Sequence, residues 1–232
     1  MEDHLIPYVE FVGLPGSGKS YFSHKVAEML RAEGYKIEEP SWVLDHEYGM
    51  WSRVIMKTTM GLLFRIPHFT KAKQLIRIVK RCGLPGKYES SVIRNILYKA
   101  YLVNKRNRKV LFFDEGIAQM AVSIAVNCGI SARQIYGDII KALGLNTDGV
   151  LIRIECDIDT ALSNMKLRNS HDSQVERLQG TEAKKAYLIK YNQECETIVT
   201  NIQMVIPFCF DEEGFVTQIV RIIKERIWNE TK

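Results

Sequence analysis

The sequence predicts an α/β fold, with a doubly wound parallel sheet, in a single domain of 232 residues. Five short apolar runs alternate with segments of helical periodicity, which is the order that a parallel sheet requires. A glycine-rich turn joins the first run directly to the first helix. The third run is hydrophobic throughout, as expected of a central strand buried on both faces. A chain of this length can bury a substantial core.

The expected elements follow the chain in order. Strands are predicted at 8–12, 36–39, 109–113, 149–154 and 204–208, and helices at 21–31, 117–127, 132–143, 182–201 and 215–228. A further helix runs toward Arg168, with Asp159 or Thr160 as its cap. Residues 46–108 should be mostly helical, with breaks near Pro67 and at 83–86. These elements predict five parallel strands flanked by helices, with a helical insertion after the second strand.

The composition, 46% hydrophobic and 25% charged, is that of a globular protein. The start of the chain lacks the pattern of a signal peptide, and no apolar run of 18 residues could span a bilayer. The five cysteines are scattered, without a CxxC pair. We therefore expect reduced thiols, a cytoplasmic location and no zinc site.

The charge is unevenly distributed along the chain. The net charge is +5, yet residues 53–109 hold fifteen Lys or Arg and a single acid, Glu89. Such a segment suggests an anionic partner. The alternative interpretation is a set of solvated helix faces that happen to be basic.

Residues 13–20 read Gly-Leu-Pro-Gly-Ser-Gly-Lys-Ser and match the pattern GxxxxGK[ST] between a strand and a helix. In this pattern, backbone N–H groups and the helix N-terminus surround the phosphates of a nucleoside triphosphate. The lysine reaches the β- and γ-oxygens, and the final hydroxyl binds Mg²⁺. ATP and Mg²⁺ are the expected cofactors. The predicted nucleotide-binding residues are Gly13, Pro15, Gly16, Ser17, Gly18, Lys19 and Ser20.

Asp114 and Glu115 end the third apolar run. Ligands of open α/β sheets bind at the carboxyl ends of strands, so an acid here can hold Mg²⁺ beside Ser20. The other acid of the pair can accept a proton or bind substrate. Asp114 and Ser20 are the predicted metal ligands, although the division of roles between the two acids stays open. Gln119, one helical turn further on, is equally compatible with a substrate contact and with solvent exposure.

Residues 164–180 form a polar stretch between two helical segments. Phosphoryl transfer spreads negative charge that Arg or Lys side chains stabilise, and a closing lid excludes water. Arg168 and Arg177 are the candidates, with Lys166 as a third. A basic surface loop without catalytic function is the alternative.

Glu39 precedes Pro40 where the second strand ends. A carboxylate there could take a proton from an attacking hydroxyl or bind a sugar hydroxyl. Glu before Pro is also a common way to end a strand, so the residues alone support this role weakly.

Together these parts resemble the thymidylate kinase and deoxynucleoside kinase group of P-loop kinases. The resemblance is carried by GLPGSGKS, by Glu39-Pro40, by FFDEG at 112–116 and by 157–162 leading into the lid. It implies a three-layer P-loop kinase fold. It further implies that Glu39 is a catalytic base or substrate ligand, that the acid ending strand three contacts sugar or metal, and that the protein can be a homodimer. The Arg that follows this acid in the family is absent here, and 46–108 does not resemble the family's thymidine-recognition region.

The leading hypothesis is a phosphotransferase that uses ATP and Mg²⁺. Its acceptor would be a small, anionic molecule, either nucleoside- or nucleotide-like or a phosphorylated sugar. Lys19, Glu39, Asp114, Glu115, Arg168 and Arg177 are its predicted catalytic residues. The alternative is a P-loop ATPase or switch that docks on nucleic acid or a membrane surface through 53–109. Nucleic acid is disfavoured, because no aromatic residues alternate with the basic ones for base stacking. Residues 60–66 and 75–81 could form membrane-binding faces, or simply a buried helix pair.

Overall fold

The computed structural model describes residues 8–105, 109–145, 149–167, 174–198, 203–207 and 212–228. Its strands are β1 (Tyr8–Gly13), β2 (Ile37–Glu38), β3 (Val110–Phe113), β4 (Val150–Glu155) and β5 (Gln203–Pro207). They pair in the order β2-β3-β1-β4-β5, and every pair is parallel. The strand that leads into the glycine-rich loop is thus central, and all six of its residues are buried.

Helices cover both faces of this sheet, as the sequence predicts. They are α1 (Lys19–Ala32), α2 (Pro40–Glu47), α3 (Met50–Arg65), α4 (Phe69–Arg81), α5 (Gly86–Asn104), α6 (Ile117–Cys128), α7 (Ala132–Leu143), α8 (Ile158–Lys166), α9 (Thr181–Ile198) and α10 (Glu212–Ile227). One face packs against α1 and α10, and the other packs against the larger group from α3 to α9. This second face carries a cleft beside the glycine-rich loop.

The helical insertion connects two neighbouring strands, β2 and β3. Its breaks fall at 66–68 and 82–85, where Pro67 and the segment 83–86 predicted them. Sequence reasoning did not identify α2. Pro40 is its first residue, where the fixed φ of proline suits a helix and its missing N–H costs nothing.

Several boundaries differ from the sequence prediction by one to three residues, and two helix starts are informative. Asp157, rather than Asp159 or Thr160, caps α8, and its carboxylate accepts a hydrogen bond from the backbone N–H of Thr160 at 2.8 Å. Asp159 lies in the first turn and forms an ion pair with Lys185. The last helix begins at Glu212, three residues before the predicted start.

Among the described residues, no helix is both long enough and apolar enough to cross a bilayer.

Candidate functional site

The glycine-rich loop lies between the end of the central strand β1 and the start of α1. Gly16 has a φ of 85°, and a Cβ atom there would collide with the carbonyl oxygen of Ala161 on α8. Only glycine fits this close approach. The buried Ser17 Oγ has no hydrogen-bond partner in the described part of the chain. A buried hydroxyl without a partner is costly, and a phosphate oxygen would satisfy it.

Lys19 lies across the loop that precedes it. Its Nζ donates to the carbonyl oxygens of Gly13 at 3.1 Å and Leu14 at 2.8 Å, and the residue is only 6% exposed. The ammonium group is therefore held over the space that the loop encloses, where it can reach an anion.

Gln119 on α6 fixes the first glycine of the loop. Its Oε1 accepts from the Gly13 N–H at 3.1 Å, and its Nε2 donates to the Gly13 carbonyl at 3.0 Å and to the Tyr191 hydroxyl at 2.8 Å. The residue is buried and also borders the cleft. It is thus not a solvated side chain, and its amide is occupied in holding the loop.

Ser20 and Asp114 meet as the motif predicts. The Ser20 hydroxyl donates to Asp114 Oδ2 at 2.6 Å. One hydroxyl and one carboxylate oxygen, side by side next to a phosphate loop, form an incomplete oxygen shell, which suits Mg²⁺ because that ion keeps several waters and binds phosphate oxygens. The residues present therefore fit this ion.

The acidic turn after β3 is anchored from β1. The buried carboxylate of Glu10 accepts from the backbone N–H groups of Ile117 at 2.9 Å and Ala118 at 2.8 Å. It thus occupies the N-terminus of α6, where the helix dipole favours an anion. A Cβ atom on Gly116 would collide with this carboxylate. Burial raises the pKa of Glu10, whereas the two N–H groups oppose that shift.

Glu115 is exposed and borders the cleft. A buried lysine, Lys99 on α5, lies in the electrostatic field of Glu115 and Asp114. Burial and the neighbouring Lys57 lower the pKa of Lys99 to about 8, and the carboxylates oppose that shift. Burial likewise lowers the pKa of Lys57. The acidic strand end therefore lies in the field of one buried and one half-buried lysine, which the sequence did not reveal.

Glu39 does not line this cleft. It is buried at the N-cap of α2 and accepts from Arg31 Nη1 at 2.7 Å, with His24 Nδ1 at 3.2 Å from the same oxygen. Burial raises the pKa of Glu39, and both partners oppose the shift. Its carboxylate is thus engaged by α1 rather than open to an acceptor.

The cleft has a volume of about 990 Å³ and extends from the phosphate loop to α5, α6 and α9. Ser91, Arg94 and Asn95 form its polar wall on α5. Arg94 Nε and Asn95 Oδ1 are buried and have no hydrogen-bond partner among the described residues. Arg94 Nη2 and Asn95 Nδ2 each donate a long hydrogen bond of 3.4 Å to Ser91 Oγ. Sequence reasoning missed these residues, although three polar positions at i, i+3 and i+4 on a largely apolar helix were a signal.

The predicted lid is described only in part. Arg177 is exposed and borders the cleft. Arg168 lies outside the described residues. Asn164, at the start of the predicted lid, lies on α8 and donates to the Gly16 carbonyl at 2.9 Å. Gln174 accepts from Asn127 at 2.8 Å and from Tyr187 at 3.1 Å. Both described parts of the predicted lid are therefore hydrogen-bonded to residues of the phosphate loop, α6 or α9.

The chain is similar to two known proteins, to one in sequence and to the other in fold. No family model matches the chain. A probable adenylyl-sulfate kinase from Aeropyrum pernix is 30% identical in an alignment of 99 residues that covers 38% of this chain and 50% of that protein. The match therefore spans about half the length of this relative. The structure of deoxyadenosine kinase from M. mycoides, with products dCMP and a flexible dCDP bound, matches 94% of this chain and 98% of its own, with a TM-score of 0.52 and 16% identity. The chain thus has the fold of a P-loop deoxynucleoside kinase, in a divergent form.

Proposed function

We propose that this protein is an ATP- and Mg²⁺-dependent phosphotransferase whose acceptor is a small nucleoside- or nucleotide-like molecule. One observation carries the proposal: the Ser20 hydroxyl bonds Asp114 at 2.6 Å beside the phosphate loop, on one side of a cleft with a polar opposite wall. That arrangement offers a donor site and an acceptor site within one enclosure.

On the donor side, the loop would hold the triphosphate. The partnerless Ser17 hydroxyl and the loop N–H groups would take phosphate oxygens, and Lys19 would exchange its carbonyl contacts for the β- and γ-oxygens. Ser20 and Asp114 would hold Mg²⁺. When it is bound, this ion neutralises negative charge on the phosphates.

On the side of the phosphoryl acceptor, the α5 wall offers one hydrogen-bond donor atom and one hydrogen-bond acceptor atom without a partner among the described residues. Arg94 Nε has a hydrogen to give, and Asn95 Oδ1 has lone pairs to offer. A chemical group with adjacent hydrogen-bond acceptor and donor atoms, such as the edge of a nucleobase, could bind both Arg94 Nε and Asn95 Oδ1. Lys87 and Arg177 line the same cleft and could neutralise a phosphate carried by a nucleotide acceptor.

Two carboxylates compete for the role of base. Glu115 is open to the cleft, so we assign to it the role of removing the proton from the acceptor hydroxyl. Glu39 is a second candidate, which would have to leave Arg31 and His24. A general base contributes about 10²- to 10⁴-fold to the rate. Glu115→Gln should therefore lower kcat by that factor, whereas Glu39→Gln should lower it by less than about tenfold if Glu115 is the base. The reverse result would identify Glu39.

The lid would supply the cations that stabilise the migrating phosphoryl group. Arg177 is the described candidate, and Arg168 is proposed from the sequence. Such side chains act on the transition state, so Arg177→Met should lower kcat more than it lowers ATP affinity.

The direct test is acceptor-dependent ADP release across a panel of nucleosides, nucleotides and sugar phosphates. Ser20→Ala and Asp114→Asn should abolish it while the protein remains folded. Arg94→Met should raise the acceptor KM by about tenfold, because hydrogen bonds to a charged group contribute about 1.5–3 kcal/mol. Arg77→Met, an exposed position on α4, is the matched control. Folded protein that binds ATP and releases ADP with no member of the panel would overturn the proposal.

A further inference from the structure

The outward face of α3 is apolar. Trp51, Ile55, Leu62 and Ile66 are 74%, 63%, 50% and 78% exposed, and we call these four residues the α3 stripe. At about 100° per residue they fall on one side of the helix, with the exposed Thr58 among them. The stripe is about 22 Å long. Surface helices ordinarily place charged residues on this side.

The exposure of the stripe is not a result of loose packing. The opposite side of α3 is fixed against α5, where Gly61 and Phe64 are buried and a Cβ atom on Gly61 would lie 3.3 Å from that of Leu97. The helix is therefore held in one orientation, with its stripe outward. An apolar patch of this length on a surface usually marks an interaction site.

The chain is basic from the middle of the stripe through α4, although the exposed acids Asp45 and Glu47 precede its Trp51 end. No acid occurs between Val54 and Tyr88. Phe69, 57% exposed, continues the apolar surface at the start of α4. The exposed basic residues of this region are Arg65, Lys73, Arg77, Lys80, Arg81 and Lys87, of which Lys87 lines the cleft. A second copy of the chain would bring like charges together across the stripe, which is costly. An anionic surface would complement both the charge and the apolar area.

We propose that the α3 stripe and its basic flank dock the protein on an anionic membrane surface. Trp51, Ile55, Leu62 and Ile66 would enter the boundary between headgroups and acyl chains, as the apolar face of an interfacial helix does. The lysines and arginines of α4, with Arg65, would contact the lipid phosphates. This docking is independent of the proposed phosphotransfer, because none of the four stripe residues lines the cleft.

The test is sedimentation of the full chain with vesicles of phosphatidylcholine containing one-fifth phosphatidylserine. A triple variant, Trp51→Ser, Ile55→Ser and Ile66→Ser, should bind at least about tenfold more weakly, since each buried methylene contributes to membrane binding. Ile189→Ser, an exposed position on α9, is the matched control and should bind as the wild type does. Circular dichroism verifies that the variants fold.

A second pair of measurements separates the other possible partners. Arg65→Gln with Lys73→Gln should weaken binding by about tenfold, and vesicles of phosphatidylcholine alone should bind weakly. Stripe variants that bind vesicles unchanged would overturn the proposal. A wild-type dimer in light scattering that the triple variant converts to a monomer would assign the stripe to a second copy. Binding to random DNA that depends on the basic residues but not on the stripe would also overturn it.

Discussion

Gln119 binds Gly13 through both the N–H and the carbonyl oxygen of that residue, at 3.1 and 3.0 Å. The amide of one α6 side chain thus takes the place that a backbone partner would occupy at the end of β1. This contact holds the phosphate loop at a fixed distance from the acidic turn that begins α6.

Replacing Gln119 with Met should destabilise the protein. The shape is conserved, but the buried Gly13 N–H loses its partner, at a cost of about 1–3 kcal/mol. Urea unfolding measures the change, and ATP affinity should fall in parallel. Gln134→Met, exposed on α7, should change the free energy of unfolding by less than about 0.5 kcal/mol. Equal effects of the two substitutions would contradict this account.

Gly116→Ala should be strongly destabilising. The new Cβ atom collides with the Glu10 carboxylate, which must then release the N–H groups of Ile117 and Ala118. A cost of about 1–3 kcal/mol follows from overpacking. Gly137→Ala, in the exposed part of α7 with open space around it, should instead stabilise the protein by about 1 kcal/mol. Thermal unfolding shows whether Gly116→Ala lowers the midpoint temperature and Gly137→Ala raises it.

The buried Lys99 should make stability depend on pH. Its pKa is lowered from the model-compound value of 10.5 to about 8 in the folded protein. Between these two values the unfolded chain holds a proton that the folded chain has released, so stability rises with pH there. Relative to Lys99→Met, the wild type should therefore gain stability as pH rises from about 8 to 10.5.

The measurement is urea unfolding of the wild type and Lys99→Met at several pH values from 6 to 10. Because both proteins share the remaining titrating groups, the difference reports Lys99 together with its influence on neighbouring charges such as Lys57. A difference that stays constant over this range would show that Lys99 is not held at a lowered pKa.

Asn164→Ala should loosen the link between α8 and the phosphate loop. It removes one hydrogen bond to the Gly16 carbonyl, worth about 0.5–1.5 kcal/mol, so ATP affinity should fall by about three- to tenfold. The neighbouring Ser163→Ala removes only a bond within α8, to the Asp159 carbonyl. Titration of ATP by calorimetry compares the two, and similar affinities for both variants would contradict a role for Asn164.

The sequence predicted those parts of the site that lie close together along the chain. The phosphate loop and the Asp114 turn each follow directly from a buried strand, so their local patterns placed them at the same sheet edge. Contacts across large sequence separations were not predictable in this way. Gln119 reaches back to Gly13, and Glu10 reaches forward to α6, and neither residue carries a distinctive local pattern.

Helix starts were predicted less well than helix interiors, because several residues near a start can serve as caps. Asp157 and Asp159 are chemically equivalent caps, and only the backbone geometry after β4 selects the first. The polar wall on α5 was missed because Ser91, Arg94 and Asn95 resemble an ordinary solvated helix face. Their position in the wall of the cleft depends on the packing of α3 and α6 against α5.

The helical insertion between β2 and β3 is a separate part of the fold from the strand and helix that hold the phosphate loop. Neighbouring parallel strands must be joined by a crossover, and here that crossover holds both the α5 wall of the cleft and the α3 stripe. Under the proposed function and the proposed membrane docking, exchanging this one stretch of chain would change both the acceptor and the surface that the protein binds. The phosphate loop between β1 and α1 would stay unchanged.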